Sequence, residues 1–459
     1  MHKRAGLVAS GLLSLVLLAP VARAWDAVGH RAITWLALDG LDKDAPAFLR
    51  EEATRHAIAW QSAEPDRWRG VTSPILRHEN AMDHYLDAED LAAFGLTLET
   101  VNPLRYRFVR DMAVARHVHP SGPDESHKPY NEKFDPAGDK EYPGFVLHEI
   151  TELHAKLISS FKTLRQLEAI GDPARAPQVA QARANIATVM GLLSHFVGDT
   201  AQPLHTTQHF NGWAGDNPHG YTTSKAFHSW IDGGVLFQHG LDYHTLKPTQ
   251  TYQATVDGAS PWAPTVAYFR RSFELVVPLY ELEKSGELER EAGRAFIAAR
   301  LNDAGAMLSA YYNSAWRASI IKLPNDVDDF ARYDAFHPGQ QPDATREQRD
   351  AWLNPAPTIG APLPGRRVLL VGELQQASGF DGHAVLKLTD GELIMPLPRT
   401  HRTPAIGQRI AVAGRLYQYT LKAAEAPAAP SAPEGGYWAI AAEDWRPAPV
   451  PSAPVAQPK

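Results

Sequence analysis

Apolar residues recur every three or four positions through most of the first 320 residues, the spacing of amphipathic helices. In GHRAITWLALDGL, Ile33, Leu36, Ala37 and Leu41 fall on one face. In ANIATVMGLLSHFVGD, Ile186, Val189, Leu193 and Phe196 repeat the pattern. Residues 273–316 read as two further helices parted near Ser285-Gly286. A polar stretch rich in Pro and Gly near 118–144 interrupts the helical region as an insertion; loops of that length are usually functional or disordered. The period changes near residue 354. A Pro-rich linker (354–366) leads into runs of alternating apolar residues, RRVLLVGEL, HAVLKLTDGELIMPL, RIAVAGRLYQYT and YWAIAAEDW, with an Asp-Gly turn at 390–391. These predict a small all-β domain over 367–446, an antiparallel barrel or sandwich. A five-stranded oligonucleotide/oligosaccharide-binding type of barrel is the expectation. PAPVPSAPVAQPK is expected to be a disordered tail over 447–459.

The first 24 residues have a different character. His2, Lys3 and Arg4 precede an apolar run from Ala5 to Pro20, and Ala22-Arg23-Ala24 is a small-x-small triplet. This is the pattern of a secretory signal peptide cleaved between Ala24 and Trp25. The expected location is periplasmic or secreted, with no stable membrane anchor. Cleavage there makes Trp25 the first residue, and its α-amino group and carbonyl could then clasp one ion together with His30.

Composition narrows the chemistry. The chain is 44% hydrophobic and 21% charged, so a globular protein with a sizeable core is expected. It has no cysteine, so any metal site uses nitrogen and oxygen ligands. The formal charge is −7, which excludes gripping nucleic acid by a broadly basic surface. A polyanionic substrate would need local positive charge from metal ions. Oligomeric state leaves no mark in the sequence, and a monomer is the expectation.

Twenty histidines are present, and their spacing is the informative feature. His195 and Asp199 in SHFVGD stand four apart, and on a helix both side chains point to one side. His228 and Asp232 in FHSWID repeat the spacing, and His205 ends the intervening GDTAQPLH. Upstream lie Asp66 in EPDRWRG and His84 in DHYLDAEDL. One such pair is commonplace on a solvated helix face. Two pairs, an intervening His and a His five residues from a new N-terminus make a constellation, and imidazole with carboxylate suits zinc. LHEITELH (147–154) has the look of a metalloprotease helix, but its two His are six apart and read as a solvated or packing face. His209 and His219 flank a loop and are not counted as ligands.

Trp25, His30, Asp66, His84, His195, Asp199, His205, His228 and Asp232 together resemble the trinuclear-zinc family of single-strand nucleases (nuclease S-one and nuclease P-one), which shares its fold with the bacterial zinc phospholipases C. HFVGDTAQPLH is the most specific stretch. The resemblance covers about residues 25–315. It implies a mainly α-helical catalytic domain, within 25–353, holding three zinc ions in a cleft. It further implies that Asp66, His84, His195 and Asp199 hold the first ion, and that Trp25, His30 and a bridging Asp199 hold its neighbour. His205, His228 and Asp232 would hold the third. Paired cations lower the pKa of a shared water, and the resulting hydroxide attacks phosphorus in line. Asp66 would orient it, and Arg69 would contact the phosphate, a task suited to a bidentate guanidinium.

The metal ligands do not separate nuclease from phospholipase. Tyr85 could stack on a base and Asp87 could accept from its edge, as the nuclease resemblance implies. Phosphatidylcholine-specific relatives place an acidic residue where this chain has Val28 and a Tyr where it has Arg67. Against the nucleases, the Gly-Gly-Asn motif before His228 is absent, and Gly233 stands where a polar residue is usual. The lack of Cys fits a bacterial member. The expected activity is hydrolysis of single-stranded DNA or RNA, or of 3′-nucleotides, leaving 5′-phosphorylated products. The alternatives are a zinc-dependent phospholipase C acting on phospholipid headgroups and a non-catalytic zinc-binding protein.

Overall fold

The computed structural model describes residues 25–118, 142–246, 254–323, 367–377, 383–397, 404–419 and 437–448, with a few isolated positions between them. The signal-peptide segment, the linker, nearly all of the polar insertion and all but the start of the expected tail lie outside the described residues.

The chain divides into two compact units, 1–158 with 186–318, and 159–185 with 319–459. The first unit is helical. It contains α1 (Ala27–Asp39), α2 (Glu52–Gln61), α3 (Glu64–Arg69), α4 (Pro74–Asn80), α5 (Ala88–Ala93) and α6 (Arg105–Val118). It takes in parts of α7 (Val146–Ile170) and α8 (Ala176–Ala201). After these come α9 (Phe227–Ser229), α10 (Val235–His239), α11 (Trp262–Phe273), α12 (Val276–Lys284) and α13 (Glu291–Ala318).

α1 starts where Asp26 caps it, its carboxylate accepting from the N–H groups of Val28 and Gly29 at 2.9 and 3.2 Å. Its buried face carries His30, Ile33, Leu36 and Ala37. It ends one turn earlier than the apolar pattern suggests: Gly40 caps it, and Leu41 lies beyond the helix, half-buried. α13 lies alongside α1 and buries Leu301, Ala304, Leu308, Tyr311 and Tyr312. The two helices approach closely at Gly305, where a Cβ would come within 2.7 Å of Leu36 Cβ. On α8, Ile186, Leu193 and Phe196 are buried as expected, whereas Val189 is half-buried and Met190 takes the buried place. The break at Ser285-Gly286 is present, between α12 and α13.

In the second unit, five strands, β1 (Arg367–Gln376), β2 (His383–Lys387), β3 (Glu392–Pro396), β4 (Arg409–Tyr419) and β5 (Tyr437–Pro447), close into a barrel in the order β1-β2-β3-β5-β4. The Asp-Gly turn joins β2 to β3, with the Leu388 N–H donating to the Gly391 carbonyl. Alternate residues fill the interior, among them Leu370, Leu374, Leu386, Leu393, Met395, Val412 and Ile440. The pairing is antiparallel except at the closure, where β3 and β5 run parallel. The alternating pattern predicts strands but says nothing of that closure. The α7–α8 turn belongs to this unit, and its Asp172 meets Arg415 of β4 at 3.1 Å.

Candidate metal centre

Every ligand candidate lies in the helical unit, the eight His and Asp side chains on seven different elements. His30 sits one turn into α1, and Asp66 in α3. His84 ends a 3₁₀ turn, Ala81–His84, and His205 ends another, Pro203–His205. His195 and Asp199 share one face of α8, with His195 Nε2 3.3 Å from Asp199 Oδ2. His228 and Asp232 depart from the simple α-helical expectation. Asp232 falls in a π-helical turn, Trp230–Gly234, and still reaches His228 Nε2 at 3.3 Å. Such turns recur at functional sites.

The side chains meet in three groups of ligand atoms: His30 with Asp66 and His195; His84 with His195 and Asp199; and His205 with His228 and Asp232. Within each group the atoms lie within 4.8 Å of one another. Asp199 lies between the groups. Its carboxylate is 3.4 Å from His30 Nε2, 3.3 Å from His195 Nε2 and 3.9 Å from His205 Nδ1.

Hydrogen bonding turns the imidazoles the right way round for ligation. His84 Nδ1 faces the Asn80 carbonyl, His195 Nδ1 the Ser62 carbonyl and His205 Nδ1 the His84 carbonyl, each at 2.7 Å. A proton on each Nδ1 leaves a lone pair on each Nε2, the usual orienting arrangement around a metal. The Nε2 atoms of His205 and His228 stand 3.1 Å apart. At that distance one ring can donate to the other, and the two nitrogens are close enough to meet at a single cation. Gln202 holds the third group from behind, donating from Nε2 to Asp232 Oδ1 at 2.9 Å while its Oε1 caps the Leu204 N–H.

The metal-facing atoms have no hydrogen-bond partner: His30 Nε2, His84 Nε2, His195 Nε2, both Asp199 oxygens, Asp66 Oδ1 and Asp232 Oδ2. Burial drives the imidazoles of His30, His84 and His228 well down, and those of His195 and His205 down to about 3, so all five are neutral, the ligand form. Burial also pushes the Asp199 and Asp232 carboxyls well up. Buried polar groups left in this state are costly, and a cation at the cluster supplies the missing partner for all of them. The donor set fits a divalent metal.

The remaining predicted residues fall around this cluster. Trp25 is fully buried, its indole N–H donating to the Gly198 carbonyl of α8 at 3.0 Å. The next N–H, of Asp26, donates to the Asp232 carbonyl at 3.0 Å. Trp25 is thus fastened between two ligand-bearing segments, although its main-chain atoms belong to none of the three side-chain groups. Arg69 Nη2 lies 3.4 Å from Asp66 Oδ1. Tyr85 follows His84 and is half-buried. Asp87 is buried, its Oδ1 without a hydrogen-bond partner, and burial raises its carboxyl pKa. Gly233 has a packing reason: a Cβ there would lie 2.9 Å from Asp26 Oδ2.

The histidines set aside stay outside the cluster. His148 and His154 are both buried, His148 Nε2 against the Asn102 carbonyl and His154 Nε2 against Ser314 Oγ, each at 2.8 Å, so theirs is a packing face. The His209 ring stacks on Trp213 at 3.9 Å, and that of His219 on Tyr221 at 5.4 Å.

Sequence reasoning missed the supporting groups: Gln202, the Ser62 and Asn80 carbonyls, and Gly198. A Cβ on Gly198 would press on His30 Nδ1 at 3.0 Å, so glycine here admits α1 against α8. Gln202 was visible within GDTAQPLH, but no spacing marks it as a partner of Asp232. Comparison of the chain with protein-family models and with curated proteins gives no match.

Proposed function

We propose that the protein is a zinc-dependent phosphodiesterase that hydrolyses single-stranded DNA or RNA, or 3′-nucleotides. The observation that carries this reading is the convergence of eight buried or nearly buried His and Asp side chains, six of them with an unpartnered atom facing the cluster, beside the Arg69 guanidinium. The nitrogen and oxygen donor set suits zinc, and ligation rich in aspartate favours open, catalytic coordination over a closed structural site. Of the three groups of ligand atoms, the His205, His228 and Asp232 group has the membership that the family resemblance implies, whereas the other two share His195 and divide His30 and Asp66 differently.

Bound zinc ions supply Lewis acidity and acidify water at neutral pH. The protein does the rest. Asp66 has a side chain 11% exposed, whereas His30, His84, His195 and Asp199 are sealed. It is therefore the carboxylate with access to an incoming water, which it orients. Arg69, 14% exposed and tied to Asp66, holds two phosphate oxygens in bidentate fashion and fixes phosphorus for in-line attack. The water oxygen bonds to phosphorus as the P–O3′ bond breaks and the 3′ oxygen takes a proton; nucleic acid leaves a 3′-hydroxyl and a 5′-phosphate, and a 3′-nucleotide leaves a nucleoside and inorganic phosphate. Tyr85 stacks on the base beside the scissile bond, and Asp87 is the hydrogen-bonding group for its edge.

The test is a substrate panel on zinc-loaded protein beginning at Trp25. Single-stranded DNA, RNA, a 3′-nucleotide and phosphatidylcholine and phosphatidylethanolamine vesicles are offered side by side. Cleavage of nucleic acid that chelation abolishes and zinc restores is the expected result. Release of phosphorylated headgroups alone would make the protein a phospholipase C. Retained zinc without hydrolysis of any of them would make it a metal-binding protein.

A further inference from the structure

The solvent side of α1 is not the polar surface that an amphipathic helix ordinarily presents. Val28, Arg31 and Trp35 succeed one another there, with the buried Ala32 between them in sequence, away from His30, Ile33 and Ala37 on the buried side. With His56 of α2 and Tyr243 they line a groove of about 430 Å³, within the size range of small-ligand sites. Trp35 forms one wall, its ring 5.6 Å from Tyr243 and 5.0 Å from His56.

Arginines lie across the aromatic faces. The Arg55 guanidinium sits 4.5 Å from the Trp35 ring centre. Trp60 is 57% exposed, with Arg67 4.4 Å and Arg31 5.7 Å from its ring centre. Asp39 holds Arg55 at 2.7 Å and accepts from the Tyr243 hydroxyl at 2.8 Å, which fixes that corner of the groove. Glu64 pairs with Arg67. Arg31 has no carboxylate partner among the described residues and is the cation left for an anion. Arg31 follows His30, and Arg67 follows Asp66, so the tract begins one residue away from two metal-ligand candidates.

We propose that this tract binds single-stranded nucleic acid outside the metal centre, one base entering the Trp35–Tyr243 groove, another lying on Trp60, and Arg31 meeting the phosphate between them. The proposal rests on the nuclease reading and adds a subsite to it. Alternating indole faces and guanidiniums suit this ligand because every base has a π face, and stacking holds a base without sequence preference. A net charge of −7 makes the placement of cations matter: the chain as a whole repels a polyanion, and Arg31 sets a cation where the strand would pass.

The experiment pairs a binding readout with a kinetic one, on zinc-loaded protein. Anisotropy of a labelled, cleavage-resistant phosphorothioate 15-mer of thymidylate is read for wild type, Trp60→Ala, Trp60→Phe and Trp60→Ala/Arg31→Gln. kcat/KM is read on the ordinary 15-mer and on a 3′-nucleotide too short to reach the tract. Oligonucleotide affinity is expected to fall about tenfold in the double variant and to recover in Trp60→Phe, with a matching fall in kcat/KM on the 15-mer and none on the 3′-nucleotide. If 15-mer affinity does not change while nucleic acid is still cleaved, the tract is overturned and the nuclease reading stands. An equal loss on both substrates would also overturn it, since the variants would then be disturbing the metal centre. If wild type neither binds nor cleaves nucleic acid, both fall. Vesicle binding that needs Trp60, without oligonucleotide binding, would make the patch a membrane contact and overturn the proposal.

Discussion

Asp199 is fully buried, and neither of its oxygens has a hydrogen-bond partner, while two imidazole nitrogens stand within 3.4 Å. Only a cation makes that arrangement inexpensive, so Asp199→Ala is expected to lose the metal at its own and the neighbouring group together. Metal affinity should drop by at least about a hundredfold, the upper end for loss of a mere supporting group. Elemental analysis after dialysis checks this; full metal content in a stable Asp199→Ala protein would contradict it. Gln202→Ala makes a finer test. It frees Asp232 Oδ1 and uncaps Leu204, so metal affinity of the third group should weaken about 10–100-fold while the other two keep their ions. At the N-terminus, one Gly added before Trp25 should cut hydrolysis sharply, since the clasp needs a free α-amino group there; an unchanged rate would refute it. The His195/Asp199 and His228/Asp232 pairs were legible from their spacing, whereas Asp66, His84 and Trp25 were joined to them by the family resemblance. The carbonyls of Ser62 and Asn80 were not legible, because a backbone acceptor has no sequence signature.

At the scale of elements, helical periodicity found α1, α8 and the break between α12 and α13. It did not find the two 3₁₀ turns that end in His84 and His205, nor the π-helical turn that carries Asp232. Short turns hold too few residues to establish a period. Gly198 shows what the elements must do for the site. It stands between His195 and Asp199 on α8, and the gap it leaves is filled by His30 and Ile33 of α1, at 3.0 and 3.2 Å from where a Cβ would be. Gly198→Val is expected to push α1 away, to cost about 1–3 kcal/mol as an overpacked core does, and to loosen the ion that needs His30 first. Denaturant midpoints with zinc and with chelator separate the two effects. A variant as stable as wild type, with its full metal content, would show that the close approach is not needed.

For the molecule as a whole, the barrel was legible from alternation and one Asp-Gly turn, and the helical region from its period. The grouping of the α7–α8 turn with the barrel strands was not, because contact between distant segments leaves no local pattern. Acid sensitivity is a whole-molecule property with a definite sign. Burial lowers His148 and His154 to about 4, so between pH 6.5 and 4 the unfolded chain binds more protons than the folded one. The contribution of these two histidines to stability is therefore full above pH 6.5 and is lost as pH falls toward 4, by a few kcal/mol in total. Neither residue is a ligand candidate, so this loss should persist under chelation. Denaturation midpoints at pH 7.5 and pH 5 in chelator check it, and equal midpoints would contradict it. Chelation at constant neutral pH should itself lower stability, because ligand-bound folding energy is lost with the ion.

The central claim is that the buried His and Asp side chains form a metal centre, and it is tested most directly by counting ions. Protein beginning at Trp25 is loaded with zinc, dialysed free of excess and analysed for metal per chain, beside Asp199→Ala treated in the same way. The proposed function predicts three zinc ions per wild-type chain and at most the His205, His228 and Asp232 ion in the variant. A folded wild-type protein that retains no zinc would contradict it.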